Sequence, residues 1–188
     1  MEKRPAIFVD RDGTLNTEVD YLHRPEDVII TPGAARWIAC LNKRNVPVIV
    51  ITNQSGIGKG RFAWDDYYAV MKKIDEILAE NDAHIDDVYV CPFHKEGKGE
   101  YKHPNHPNRK PNPGMILSAA SKHHIDLELS WMIGDKQIDL EAGRNAGCRV
   151  ALVKTGYGNG VTPKLADLVA DNLGMAIETI LSFSPHTK

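Results

Sequence analysis

Cysteine is scarce in this chain, with three among 188 residues, Cys40, Cys91 and Cys148. An odd, widely spaced set offers no disulfide framework and points to a reducing, cytoplasmic setting. Long apolar runs are missing too. The densest, Val46 to Ile51, is far short of the roughly 18 residues a membrane span needs, and the four apolar residues before Asp10 are too few for a signal peptide core. No charge of one sign dominates, since 23 Lys and Arg stand against 25 Asp and Glu, a formal net charge of −2. That balance speaks against a broadly basic nucleic-acid face or a polybasic membrane patch. Aromatic residues make up only 7%, yet 42% of the chain is hydrophobic, ample for a core in one domain of this length. No internal repeat or low-complexity block divides it.

What is present is an alternation. Short apolar runs rich in Val and Ile, at 6–9, 48–51, 88–90, 131–133 and 150–153, are nearly continuous, as in parallel strands covered on both faces. Between them lie helical spacings. Ala34, Trp37, Ile38 and Leu41 share one face of 33–45, and Tyr67, Val70, Met71, Ile74, Ile77 and Leu78 one face of 65–81. Shorter patterns follow at 114–123 and 137–146, the last ending at Gly147 as a C-cap. The order predicts an α/β fold, a parallel sheet flanked by helices with right-handed crossovers. One stretch breaks the rhythm. Residues 91–113 hold five of the eleven prolines, with His94, His103 and His106. Proline fixes φ and removes backbone donors, so a braced loop is predicted there.

In open α/β sheets, ligands bind beyond the carboxyl ends of the strands. The residues that follow the runs are therefore the candidate chemistry: Asp10-Arg-Asp12-Gly-Thr14, Thr52-Asn-Gln-Ser-Gly56, and Gly134-Asp135-Lys136 with Asp139. Carboxylates gathered at one edge repel when ionised and unpaired. Magnesium relieves this most simply, because it takes one or two carboxylates and shares its shell with substrate phosphate. A hydroxyl, backbone amides and a lysine suit the phosphate itself, and the whole set spells phosphoryl transfer. Singly, each residue has an ordinary explanation: Thr52 ends a strand, Lys110 and Lys136 are solvated charges, Asp135 and Asp139 favour a helix start, and Asp10 and Asp12 cap a turn. Convergence on one sheet edge sets those explanations aside.

The ordered set Asp10-Arg-Asp-Gly-Thr14, Thr52-Asn-Gln-Ser-Gly-Ile57, Arg109-Lys110-Pro-x-Pro-Gly114 and Gly134-Asp-Lys136-x-x-Asp139 resembles the four motifs of the haloacid dehalogenase (HAD) phosphatase superfamily. In finer detail it resembles the branch of heptose bisphosphate and histidinol-phosphate phosphatases, over roughly residues 5–170. The resemblance implies one Rossmann-like, HAD-like domain over 1–188 without a large cap domain. It implies magnesium-dependent removal of phosphate from a small sugar phosphate, with the C7 phosphate of a heptose 1,7-bisphosphate favoured and histidinol phosphate as the alternative. Asp10 would be the nucleophile and Asp12 the acid and base, while Thr52 and Lys110 would hold the phosphoryl group. Magnesium would lie on Asp10, the Asp12 backbone carbonyl and Asp135, with Asp139 outside that set, orienting Lys136 or metal-bound water. Substrate contacts would fall to Glu18, Val19, Asp20, Tyr21, Asn53, Gln54, Ser55, Arg109 and Lys136. The 91–113 loop, with 15–32 and 57–63, would wall the site.

One departure concerns zinc. The branch's structural zinc pattern maps onto Cys91, Phe93, His106 and Asn108, of which only Cys91 keeps its type, so that zinc is expected to be absent. Cys91, His94, His103 and His106 form an alternative ligand set. A receiver-type signalling domain would also use an aspartyl phosphate, a threonine, a lysine and magnesium. Asp12 argues against it, because a carboxylate two residues from the phosphoaspartate invites hydrolysis. It argues equally against a non-catalytic sugar-phosphate binder. The expected partner is a small molecule met by a monomer, with no nucleic acid and no membrane.

Overall fold

A computed structural model describes residues 3–183. Six strands form one sheet: β1 (Ile7–Val9), β2 (Val48–Asn53), β3 (Asp87–Cys91), β4 (Trp131–Gly134), β5 (Arg149–Val153) and β6 (Leu168–Ala170). Their order is β3-β2-β1-β4-β5-β6, and every pairing is parallel. Side chains alternate across a strand, yet both faces are buried here. Ile7, Val9, Val48 and Val50 pack on one side with α1 (Ala34–Lys43), α3 (Trp64–Ala79) and α6 (Leu173–Phe183). Phe8, Ile49, Ile51 and Met132 pack on the other with α4 (Gly114–His123) and α5 (Gln137–Ala146). This double covering is why the sequence shows continuous apolar runs. Among the described residues, no helix is long and apolar enough to cross a membrane.

The sheet order reverses at β1, whose two neighbours lead outward in opposite directions. Val9 is level with both Val50 and Ile133, so the segments after β1, β2 and β4 leave from one edge. That edge is the switch point where open α/β sheets bind ligands. A short helix, α2 (Ser55–Gly58), follows β2 directly.

Strands and helices fall where the apolar pattern predicts them, with β2 running two residues further, to Asn53. Gly147 closes α5 in the left-handed region (φ 91°), and residues 92–113 hold no strand or α-helix, with a 3₁₀ turn at Gly99–Tyr101 and an isolated bridge between His94 and Lys102. The pattern did not announce α2, β6 or α6. β6 is a three-residue edge strand bounded by aspartates, too short for a periodicity, and it owes its place to β5: Lys154 N–H donates to the Ala170 carbonyl at 2.9 Å, and the Val150 N–H to the Asp167 carboxylate at 2.8 Å.

Asp87 ties β3 to the last turn of α4, accepting from Lys122 Nζ at 2.8 Å and lying 2.7 Å from His123 Nε2. Burial raises its pKa, but the His123, Lys122 and Val88 hydrogen bonds outweigh burial and bring it down to about 2. A depressed carboxyl stabilises the fold above its unfolded pKa and loses that stabilisation as pH falls through the folded value. After solvent screening, we expect Asp87→Asn to cost about 1 kcal/mol at pH 7, in urea unfolding, with the gap narrowing steadily from about pH 5 and closing only as the pH falls through about 2. A gap independent of pH would contradict the assignment.

Candidate active site

The site is built outward from one ammonium group. Lys110 is buried, and its Nζ lies 2.7 Å from Asp10 Oδ1, 2.8 Å from the Ile51 carbonyl and 2.6 Å from Asp139 Oδ1. Asn53 at the end of β2 fixes the lysine's main chain from both sides. Its Nδ2 donates to the Lys110 carbonyl and its Oδ1 accepts the Lys110 N–H, each at 3.1 Å. The proline-braced loop thus delivers one side chain into the sheet edge.

Asp10, Asp135 and Asp139, all buried, each place an oxygen within 4.8 Å of the others. Asp139 Oδ2 accepts the Lys136 N–H at 2.9 Å, so protein groups engage both of its oxygens. It orients Lys110 and the start of α5. Asp135 differs. Its Oδ2 accepts the Tyr157 N–H at 2.8 Å, while its Oδ1 is buried with no hydrogen-bond partner among the described residues. Two left-handed glycines make room for this carboxylate: a Cβ at Gly13 (φ 82°) would lie 2.3 Å from Asp135 Oδ2, and one at Gly156 (φ 55°) 2.2 Å.

The electrostatics follow from that crowding. Burial, and then the Asp139 charge, push the Asp10 carboxyl up to about 8 despite Lys110. Burial also raises Asp135 to about 6, against the Tyr157 N–H. Lys110 is pulled down by burial, but Asp10 and Asp139 outweigh this and hold it charged. Three carboxylates against one ammonium, with a carboxylate oxygen left unpartnered, fit a hard divalent cation held by oxygen. No backbone N–H is directed at the Asp12 carbonyl among the described residues.

Asp12 has a different fate from Asp10. Arg11 Nε and Nη2 donate to its two oxygens at 3.0 and 2.9 Å, Asn16 Nδ2 donates at 3.2 Å, and Gln54 Nε2 at 2.8 Å. Burial raises its pKa, but the Arg11 guanidinium, with Gln54 and Asn16, brings it below the ordinary carboxylate value. Arg11 is fully buried, with its Cζ 5.5 Å from the Tyr67 ring centroid. Thr52 is buried beside this network, where its Oγ1 accepts from Gln54 Nε2 at 2.9 Å.

A cavity of about 260 Å³ opens next to Asp12. Of the anticipated substrate residues, Glu18, Val19, Asp20, Tyr21, Asn53, Gln54, Ser55 and Lys136 line it, together with Tyr157. Arg109 does not: its Nη1 donates to the Phe93 carbonyl at 2.9 Å, so its guanidinium braces the loop. Of residues 91–113, none lines the cavity, and only Lys110 joins the carboxylate cluster. Segment 57–63 also falls outside the lining, where the buried Phe62 stacks on His23.

The Cys91, His94, His103 and His106 set does not gather as a ligand group among the described residues. Each histidine Nδ1 instead accepts a backbone N–H, from Glu96, Asn105 and Asn108 respectively, which leaves the proton of the neutral ring on Nε2. Phe93 stacks flat on His106, centroids 3.8 Å apart and planes 4° apart. Aromatic packing and loop hydrogen bonds brace this segment.

Sequence reasoning missed Arg11, Asn16 and Tyr157. Nothing in a sequence shows that an arginine between two aspartates turns inward. Tyr157 was within reach, because it follows the fifth strand at the same sheet edge.

The comparisons with known proteins bear on this geometry. Residues 107–176, which hold Lys110, Asp135 and Asp139, match the HAD-hydrolase-like family model. The chain is 39% identical over 187 residues to a D-glycero-D-manno-heptose-1,7-bisphosphate 7-phosphatase of Thermosynechococcus vestitus, covering 94% of this chain and 95% of that protein. It is 43% identical over 143 residues to a D-glycero-beta-D-manno-heptose-1,7-bisphosphate 7-phosphatase of Mesorhizobium japonicum, covering 76% of this chain and 66% of that protein. A solved D,D-heptose 1,7-bisphosphate phosphatase from B. bronchiseptica, complexed with magnesium and phosphate, superposes with a TM-score of 0.84 at 31% identity, over 95% of this chain and 99% of that one.

Burial and the Asp139 charge favour a proton on the Asp10 carboxyl without a cation, and a bound dication would expel it. Calorimetric titration of magnesium chloride in two buffers of different ionisation enthalpy should therefore show about one proton released per cation at pH 7. The release should fall towards zero above pH 9. No proton release at pH 7 would contradict the raised Asp10 pKa.

Proposed function

Because this chain belongs to the HAD-like hydrolases, as a relative of the D-glycero-D-manno-heptose-1,7-bisphosphate 7-phosphatases, we propose that it removes the C7 phosphate of D-glycero-D-manno-heptose 1,7-bisphosphate through an aspartyl phosphate on Asp10. The observation that carries this reading is the buried cluster in which Lys110 bridges Asp10 and Asp139 while Asp135 Oδ1 has no partner.

An Asp10 oxygen attacks phosphorus, and the bond from phosphorus to the sugar oxygen breaks. Asp12 protonates that leaving oxygen. Water then attacks the phosphorus of the aspartyl phosphate, Asp12 takes a proton from it, and the bond from phosphorus to Asp10 breaks to free orthophosphate. The proton given in the first half is recovered in the second. The Arg11 pairing draws Asp12 towards its carboxylate, the form that accepts the proton from water. Thr52 and Lys110 hold the transferring phosphoryl group, and Lys136 with residues 18–21 and 53–55 receives the sugar. Asp10, Asp135 and the Asp12 carbonyl would hold magnesium, which when bound neutralises charge on phosphate oxygens and keeps Asp10 ionised. Its solved relative complexed with magnesium and phosphate supports this assignment.

The chain acts as one catalytic unit and as a monomer on a small molecule. Its free thiols at Cys40, Cys91 and Cys148 support a cytoplasmic setting.

A panel of both heptose 1,7-bisphosphate anomers, histidinol phosphate and common hexose phosphates tests the substrate. Phosphate release should favour a heptose bisphosphate by at least 100-fold in kcat/KM, about 2.7 kcal/mol. EDTA should abolish it and magnesium restore it. Equal rates across the panel would overturn the substrate assignment, and indifference to both additions the metal assignment.

A further inference from the structure

Tyr157 has no task in the reaction above, yet the structure fixes it from both ends. It follows β5, where Thr155 Oγ1 donates to the Gly13 carbonyl at 2.6 Å and the Tyr157 N–H donates to Asp135 Oδ2 at 2.8 Å. Gly156 between them takes a left-handed φ of 55° so that the strap can pass over Asp135. The residue is 56% exposed and lines the cavity beside Asp12, Glu18 and Gln54. Lys136 Nζ sits over it, 4.6 Å from the centroid, and also lies 3.0 Å from Glu18 Oε2.

Single exposed aromatics are ordinary on protein surfaces. Tyr157 is different because its main chain belongs to the carboxylate cluster while its ring belongs to the cavity wall. Glu18 and the ring occupy two sides of the Lys136 ammonium, which carries N–H donors beyond the one given to Glu18. The ring itself presents flat apolar area to a cavity whose other lining groups are mainly polar. A pyranose has the matching surface, with polar hydroxyls around its rim and C–H groups on its faces.

We propose that Tyr157 is a specificity-determining residue: its ring seats the C–H face of the substrate's sugar and, with Glu18, holds the Lys136 ammonium towards the sugar oxygens. The inference rests on the reading of the substrate as a sugar phosphate and adds to it the group that tells a ringed sugar from an open-chain ester.

Steady-state kinetics of the wild type, Tyr157→Phe, Tyr157→Leu and Tyr157→Ala on heptose 1,7-bisphosphate and on glycerol 3-phosphate provide the test. Tyr157→Phe should stay within about twofold of the wild type in kcat/KM for the sugar, since it keeps the ring. Tyr157→Leu and Tyr157→Ala should raise the sugar KM about tenfold with kcat changed less than threefold, and should lower the sugar-to-glycerol-phosphate ratio of kcat/KM at least fivefold. Calorimetric binding of inorganic phosphate to each variant reports on the carboxylate cluster independently of turnover. A wild-type preference that survives Tyr157→Leu, or equal losses on both esters, would overturn the proposal. A wild type without any preference for the sugar would overturn the substrate reading, and this inference with it.

Discussion

One buried ammonium governs this site. Lys110 lies between Asp10 and Asp139, with Asp135 close by, and among the described residues it is the cation in direct contact with this buried cluster. If all are ionised, their charge exceeds that of Lys110 in a region shielded from water, and the more distant Lys136 offsets only part of the excess. The cluster can then hold a proton, bind a dication or fall apart. Much of the surrounding structure is arranged to prevent the last. Asn53 clasps the Lys110 main chain, Asp139 anchors the start of α5, and the strap from β5 closes over Asp135. A cluster of this kind is expensive to bury unless function needs it. Its use is to present a carboxylate oxygen, beside a positive charge, to a phosphoryl group.

A turn of a few residues gives two neighbouring aspartates opposite characters. Asp10 stays at the strand end, among like charges, and is driven up. Asp12 turns to a buried arginine and is drawn down. Environments that push the pKa values of paired carboxyls apart are the usual means of dividing nucleophilic and proton-transfer work between them. Here Arg11 does the dividing. With Gln54 it also links the turn after β1 to the exit of β2, so the proton donor is positioned by the wall that receives the substrate.

The parts of this arrangement that were legible in the sequence are those set by period and by position. Val48–Ile51 reads as a doubly covered strand because both its faces are buried, and Asp10, Thr52 and Asp135 read as site residues because each follows such a strand. β6 was not legible, because three edge residues carry no period. Arg11 was not legible, because its burial depends on a guanidinium meeting a carboxylate that it also neighbours in sequence. Arg109 was placed at the substrate by resemblance, whereas a backbone carbonyl of the loop takes up its guanidinium. Tyr157 was overlooked although the strand-exit rule leads to it.

The central claim is that an oxygen of Asp10 forms the bond to phosphorus, and trapping the phosphorylated state tests it most directly. A crystal structure of the protein with magnesium and beryllofluoride should show the adduct on an Asp10 carboxylate oxygen, with Lys110 Nζ beside it, and Asp10→Asn treated in the same way should carry no adduct. An adduct on any other residue, or one retained in Asp10→Asn, would contradict it.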